Sequence, residues 1–432
     1  MGVRRLATIG AVLAAGAGVP AAGVGGMPLA GAATGGGAPL APAVSTAATG
    51  GPVIVVLKDQ HSNLNLSTQA AQRRAAARAD QAPVLSSIKA SGGTDVTQLV
   101  APNAVAAHVS AAEVARLRRD PAVAEIVPDA LVQMQPPGPA ANPLGGAAPV
   151  PRQVTTTKAP ALAATCPFNP ADPGQPLQEP EADAEIHASN GNPAAPGMAN
   201  SIATGKGVIV ANEGLNELAG NPNFTRPDGT HVVIDAPSYT ADDGNAETYG
   251  DASSIAAQGT VIYQYSKALP YSPVPPGCTF YIKGDAPGAS LVDLTGIDTP
   301  ILPMSKVLAG IDNVVARVHA NVISESFGTT SLPGSSFGQL LTQADDAAVD
   351  AGVTVVESSG DSGDSGTVIT AADDPKVIAA GAVDNFRLVA MNDGYPSYVS
   401  NQMAALSSGG TAPTGKVVNL VAPGWYGGGG GL

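Results

Sequence analysis

Two carboxylates, Glu247 and Asp251, stand four residues apart in the stretch AETYGDASSIAAQGT. On a helix that spacing places both side chains on one face. Two carboxyls held so close resist simultaneous ionisation. The pair then keeps a proton over a split titration, and one member can act as general base in acid. Another acid, Asp361, follows an apolar run in Ser358-Ser359-Gly360-Asp361. A third polar pair, Asn212 and Glu213, closes the run VIVANEG. Plainer readings stand beside these. Gly250-Asp251 is a helix N-cap pattern, in which Asp251 closes the free N–H groups of ASSIAAQ and Glu247 lies outside the helix. SSGDSGDSG also reads as an acidic, solvated or cation-binding loop.

Chemistry at these positions requires elements that bring them together. The runs 207–214, 289–297, 320–328, 352–363 and 376–384 read as buried parallel strands, with helices over 303–320 and 336–352. That alternation is the mark of an α/β domain built on a parallel sheet, here spanning 201–432. In such sheets functional groups gather at the carboxyl ends of strands, which is where Asn212, Glu213 and the 358–361 stretch fall. Upstream, residues 52–133 read as strand, helix, two strands around a turn, helix and strand. This is the βαββαβ order of a ferredoxin-like α+β module. Ser110 and Glu113 form a capping-box pattern for its second helix, which stops before Pro121.

The remaining segments bound the class. MGVRR followed by an apolar stretch and LAGAA reads as a signal peptide over 1–33, leading to a secreted protein. An uncleaved membrane anchor is the alternative, which the Gly and Pro interruptions disfavour; no other segment is long and apolar enough to span a bilayer. Residues 34–51 are a low-complexity tail, and 134–200 a Pro-rich linker or arm. The net charge of −14 argues against a nucleic-acid partner. It is unevenly spread: residues 51–135 hold 8 basic and 7 acidic side chains, residues 136–432 hold 11 and 28. A near-neutral module can dock on an acidic domain without repulsion, although both charges also serve solubility. The two cysteines, Cys166 and Cys278, form a disulfide or remain separate buried thiols.

The 52–133 module, on VIVVLKD and VSAAEVARLRRDPAVAEIVPD, resembles the propeptide inhibitor of subtilisin-type proteases. The resemblance implies an intramolecular chaperone that occupies the active-site cleft. The larger region resembles the subtilase clan in five segments in order: GDAPGASLVDL, VLAGIDNVVARVHANVISESFG, DAAVDAGVTVVESSGDSG, DDPKVIAAGAVD and LSSGG with VVNLVAPG. This implies a subtilisin-like parallel sheet with helices on both faces, and peptide-bond hydrolysis by acyl transfer. The subtilisin triad is not met. Asn212 stands where that family has its Asp, with Glu213 beside it, and Ser253 where it has its histidine. His61, His108, His187, His231 and His319 all lack an H-G-T context.

Sedolisins, acid-active peptidases of the same clan, instead use E-x-x-x-D and an Asp in S-S-G-D. Similarity to them implies Glu247 and Asp251 as the catalytic acid pair and Asp361 at the oxyanion position. There Asp361 stabilises negative charge only as a neutral acid donating a hydrogen bond. The nucleophile of both families lies on a G-T-S stretch after V-x-A-P-G. Here VVNLVAPG is followed by WYGGGGGL, which reads as an incomplete C-terminus. GGTAPTG offers only Thr411 and precedes that strand. The expectation is a secreted serine-type endopeptidase whose own activity is in question for want of the serine; the alternative is a peptide-binding pseudo-peptidase. Expected partners are a polypeptide substrate and the chain's own propeptide. No cofactor is expected, and the calcium sites of such families depend on loops that the sequence does not place.

Overall fold

The run VIVVL is apolar at every position, where a strand with one wet face would alternate. The computed structural model shows why. It describes residues 50–133, 204–236, 246–264, 279–295, 301–327, 336–360, 371–384 and 414–425, with short pieces at 177–178, 267, 368–369, 403–404 and 407–412. The run lies in β1 (Gly50–Leu57), which is followed by α1 (Ala70–Ala90), β2 (Thr94–Leu99), β3 (Ala104–Ser110), α2 (Ala111–Leu117) and β4 (Val123–Pro128). The sheet order β2-β3-β1-β4, antiparallel throughout, makes this a ferredoxin-like α+β unit. Val53, Val55 and Leu57 face α1 and α2, in a core with Val84, Ile88, Val114 and Leu117. Ile54 and Val56 face the other way and join Leu99, Ala104 and Ala106 in a core shared with the larger domain. The capping signal at α2 is half realised: Ser110 accepts from the Glu113 N–H at 3.2 Å, while the Glu113 carboxylate turns to Arg116 and Ser87.

Beyond β5 (Leu131–Gln133) and a two-residue β6 (Leu177–Gln178), the larger domain is built on β7 (Ile209–Asn212), β10 (Ser290–Asp293), β12 (Val322–Glu325), β13 (Thr354–Ser358), β14 (Ile378–Asp384) and β15 (Leu420–Trp425). These six strands are parallel, in the order β10-β7-β12-β13-β14-β15. The short strands β8 (Tyr263–Gln264) and β9 (Thr279–Tyr281) complete a small sheet with β6, and β11 (Ile301–Pro303) pairs with β5. Helices lie on both faces. The helix α3 (Ala246–Ala256) packs Tyr249, Ala252 and Ala256 against Val210, Leu291, Val322 and Val356. On the opposite face, α4 (Met304–Asn313) and α5 (Ser336–Asp350) pack Val307, Leu308, Ile311, Leu341 and Ala344 against Ala211, Val292, Ile323 and Val355. A Cβ at Gly310 would come within 2.1 Å of the Leu294 carbonyl oxygen, so α4 approaches this closely only with glycine there. The domain is thus the α/β parallel sheet expected from the sequence.

The outer side of α4 and α5 is where the small unit sits. Its open sheet face shares their core. Polar contacts set the register: both oxygens of Asp312, on α4, accept the N–H groups of Val100 and Ala101 at 2.6 and 2.9 Å. Asp129 accepts from the backbone and hydroxyl of Ser305 at 2.9 and 2.6 Å. Burial pushes Asp312 up to about 7, against the pull of those two N–H groups and of Arg73. Residues 1–33, read from the sequence as a signal peptide, most of the stretches read as tail and arm, Cys166, Cys278, His187 and the glycine run fall outside the described residues.

Replacing Asp312 with Ala strands two N–H groups at this junction. Hydrogen bonds to a charged acceptor contribute about 1.5–3 kcal/mol each. Asp312→Ala is expected to lower unfolding free energy in urea by about 3 kcal/mol and to hasten proteolytic cutting between residues 133 and 204. An unchanged midpoint would show that the junction rests on apolar packing alone.

Candidate active site

The carboxyl ends of β7, β12 and β13 lie side by side, and each carries an acid. At β7, Asn212 is fully buried and donates from Nδ2 to the Ser324 carbonyl at 3.2 Å and to Glu213 Oε2 at 3.0 Å. Glu213 is also fully buried, and its Oε1 accepts the Ser326 N–H at 2.8 Å. The chain leaves the strand through Gly214, where φ is +69° and an added Cβ would come within 2.7 Å of Thr248 Oγ1, so any side chain there is strained. This turn brings the end of β7 against α3.

The helix α3 settles one of the two sequence readings. It begins at Ala246, so Glu247 and Asp251 are both helical residues four apart, and Asp251 is not an N-cap. Asp251 is 2 % exposed, and among the described residues none donates a hydrogen bond to either of its oxygens. Burial raises it to about 7; the side chains of Ser326 and Asn212 temper the shift without closing a hydrogen bond. Glu213 is pushed well above the usual carboxylate range, first by burial and then by the charge of Asp251, with Glu325 adding to it. The Ser326 N–H works in the opposite sense. Two enclosed carboxyls without a counter-cation hold a proton between them at mildly acid pH.

The sequence named Asn212 and Glu213 as neighbours of the chemistry without giving Glu213 a role; the structure sets it against Asp251. Of the other candidates, Glu247 lies on α3 by its backbone, but its side chain is outside the described residues, as is Asp361. The residues before Asp361 are held at the end of β13. Ser359 donates from its hydroxyl to the Ser408 carbonyl at 2.9 Å, and Gly360, at φ +97°, accepts from the Ser408 N–H at 2.7 Å. Ser358, Ser359, Gly360, Ala380, Gly381, Ala382 and Ser407 enclose about 10 Å³, room for roughly one water.

Ser253, at the position of the subtilisin histidine, is buried and donates back to the Gly250 carbonyl at 3.0 Å, a local helix bond. His61 and His108 belong to the small unit, His231 pairs with Thr225 in a β-bridge, and His319 ends the helical turn after α4. Thr411 is exposed. Sequence reasoning missed Glu325, Glu357 and Asp345, all fully buried. The signal was present in VISES and VVESS, where an acid interrupts a run otherwise suited to a strand covered on both faces.

No protein-family model matches the chain, and no curated protein matches it. Its structural neighbours are subtilisin-like serine proteases and maturation proteases. Fervidolysin from Fervidobacterium pennivorans, a keratinolytic enzyme related to subtilisin, is 17 % identical over 87 % of this chain and 47 % of its own, with a TM-score of 0.48. The epidermin leader peptide processing serine protease of Staphylococcus aureus is 11 % identical, covering 87 % of this chain and 75 % of its own, with a TM-score of 0.46. Sphericase is 21 % identical over 51 % and 69 %, with a TM-score of 0.33. The chain thus spans about half the length of fervidolysin.

A carboxyl whose pKa is raised by folding stabilises the fold fully below its unfolded value and loses that contribution as pH climbs through the folded value. For Asp251 the window runs from about 4 to about 7. With chelator present, the thermal midpoint is expected to be highest near pH 4 and to fall toward pH 7, and Asp251→Asn to flatten part of that slope. A midpoint rising from pH 4 to 7 would contradict the assignment.

Proposed function

We propose that the chain carries the scaffold of a secreted serine-type endopeptidase of the subtilisin-like fold, working by the carboxylate chemistry of sedolisins. The observation that carries this reading is Asp251. It is enclosed on α3 one turn after Glu247, set against Glu213, at the carboxyl ends of a parallel sheet. In this scheme Glu247 takes the proton of an attacking serine, Asp251 holds Glu247 in place and shares its proton, and Glu213, raised by burial and by the charge of Asp251, stays protonated beside them. Asp361, kept neutral, donates a hydrogen bond to the oxyanion. Glu247 must be ionised to take that proton, while the proton shared with Asp251 and the one on Asp361 are lost as pH rises, so activity belongs to acid pH. The substrate is a polypeptide. The small unit over 50–133, seated on α4 and α5, is read as the chain's own inhibitor and folding aid.

No serine within residues 1–432 stands in a G-T-S context, and acyl transfer needs that nucleophile. A second reading, a module that binds peptides without cleaving them, is favoured by this and by the Ser253 hydroxyl being tied to the Gly250 carbonyl.

The 432 residues alone are expected to cleave no peptide. Extended with a serine-bearing G-T-S segment from a homologous reading frame, they should cleave with an acidic optimum. Asp251→Asn should then lower the rate on the order of 10² to 10⁴, and Asp361→Ala on the order of 10² to 10³. A neutral optimum, or full activity in Asp251→Asn, would remove the carboxylate mechanism. Peptide binding without turnover in the extended chain would favour the second reading.

A further inference from the structure

Glu325 and Glu357 are direct neighbours across the parallel pair β12 and β13. Strand alternation turns both toward the face covered by α5, since Ile323 and Val355, two residues earlier, lie in the core on that side. Asp345, on α5, meets them there. One carboxylate oxygen from each of the three lies within 4.8 Å of the others. All three side chains are fully buried, and among the described residues no N–H or hydroxyl group donates to any of their six oxygens; Glu325 and Glu357 are close enough to share a proton with each other, while Asp345 has no such partner.

The alignment of two strand acids follows from register alone, but Asp345 arrives from a separate element and is aimed into the same space without a donor. Among the described residues no cation acts on Asp345 itself, although Lys376 pairs with nearby Asp346 at 3.1 Å. Asp374 and Asp346 add negative field on Asp345, and Glu213 adds to it on Glu357. Fully ionised, the three carry three negative charges in a dry core, which is strongly unfavourable without a cation. Ligands on opposite sides of a calcium ion, each at about 2.4 Å, lie about 4.8 Å apart, and no two of those three oxygens are further apart than that. Six oxygens from three carboxylates can meet the 6–8 that calcium takes, and an all-oxygen set excludes a preference for soft metals.

We propose that Glu325, Glu357 and Asp345 form a buried site for a hard divalent cation of the calcium type. The ion ties α5 to the centre of the sheet. No ligand is exposed, so the ion enters during folding and leaves slowly, and its binding free energy becomes folding free energy. The site lies on the α5 side of the sheet and Asp251 on the α3 side, with Glu213 feeling the charge of Asp251 and exerting its own on Glu357, and the proposal stands whether or not the chain is a peptidase.

The test refolds the 432-residue chain from denaturant at pH 7 with calcium or with chelator, followed by dialysis and elemental mass spectrometry. One tightly held calcium per chain and a raised thermal midpoint are expected, both lost toward pH 4 as the ligands protonate. Glu357→Gln and Asp345→Asn should each weaken binding by roughly 100-fold or more, while raising the chelator-treated midpoint at pH 7 by relieving repulsion. His61→Ala, in the partly exposed Asp59–His61–Asp80 group, should change neither. Absence of bound calcium, full binding in Asp345→Asn, or loss of binding in His61→Ala would overturn the site. Should the amide variants fail to fold, terbium refolded into the unaltered chain decides. A luminescence lifetime indicating a nearly dehydrated ion is expected, and a lifetime typical of a water-rich surface ion would overturn the proposal.

Discussion

Carboxyl groups buried without a basic partner are the constraint on which this domain turns. Among the described residues of the larger domain, the buried charged side chains are all acids, and the one buried base, Arg73, belongs to the small unit. Glu213, Asp251, Glu325, Asp345 and Glu357 each have a folded pKa above the ordinary range, and burial is the first cause in every case. A charge in a dry interior must be neutralised by a proton, a cation or an opposite charge. With no lysine or arginine enclosed among them, protons or a cation remain.

The sheet explains how so many acids come together. Parallel strands in register place their carboxyl ends in one row, so acids closing β7, β12 and β13 become neighbours although more than 100 residues separate Glu213 from Glu325 and Glu357. Side-chain alternation then divides them between two faces. Asp251 comes in from α3 on one side and Asp345 from α5 on the other, with Glu213 exerting its charge on the row between them. The same two-sided burial makes each acid costly, because no face of the central strands is left to water. The small unit extends the covering by sealing the outer side of α4 and α5 with its own sheet.

Much of this architecture was legible in the sequence because it rests on local patterning. The run VIVVL read as a strand, and the βαββαβ order and the five apolar runs of the larger domain read directly as the elements found; that both faces of VIVVL are covered is shown by the structure. The placing of Asp251 four residues after Glu247 on one helix was legible from spacing, although only the observed start of α3 separates that reading from a cap. Glu325, Glu357 and Asp345 were not, since their meaning lies in pairing across strands and in the approach of a helix, which no local window contains. Glu213 falls between: its position at a strand end was visible, but its contact with the environment of Asp251 depends on how α3 packs.

The central claim is that carboxyls in this core hold protons where ordinary side chains are ionised. Carbon-13 labelling of aspartate and glutamate carboxyls, followed by NMR titration in chelator from pH 3 to pH 9, tests it most directly. The account predicts that most carboxyls titrate in the usual range near 4, while the resonance lost in Asp251→Asn titrates at about 7 and that lost in Glu213→Gln titrates well above the ordinary glutamate range. Titration of every carboxyl in the ordinary range would contradict it.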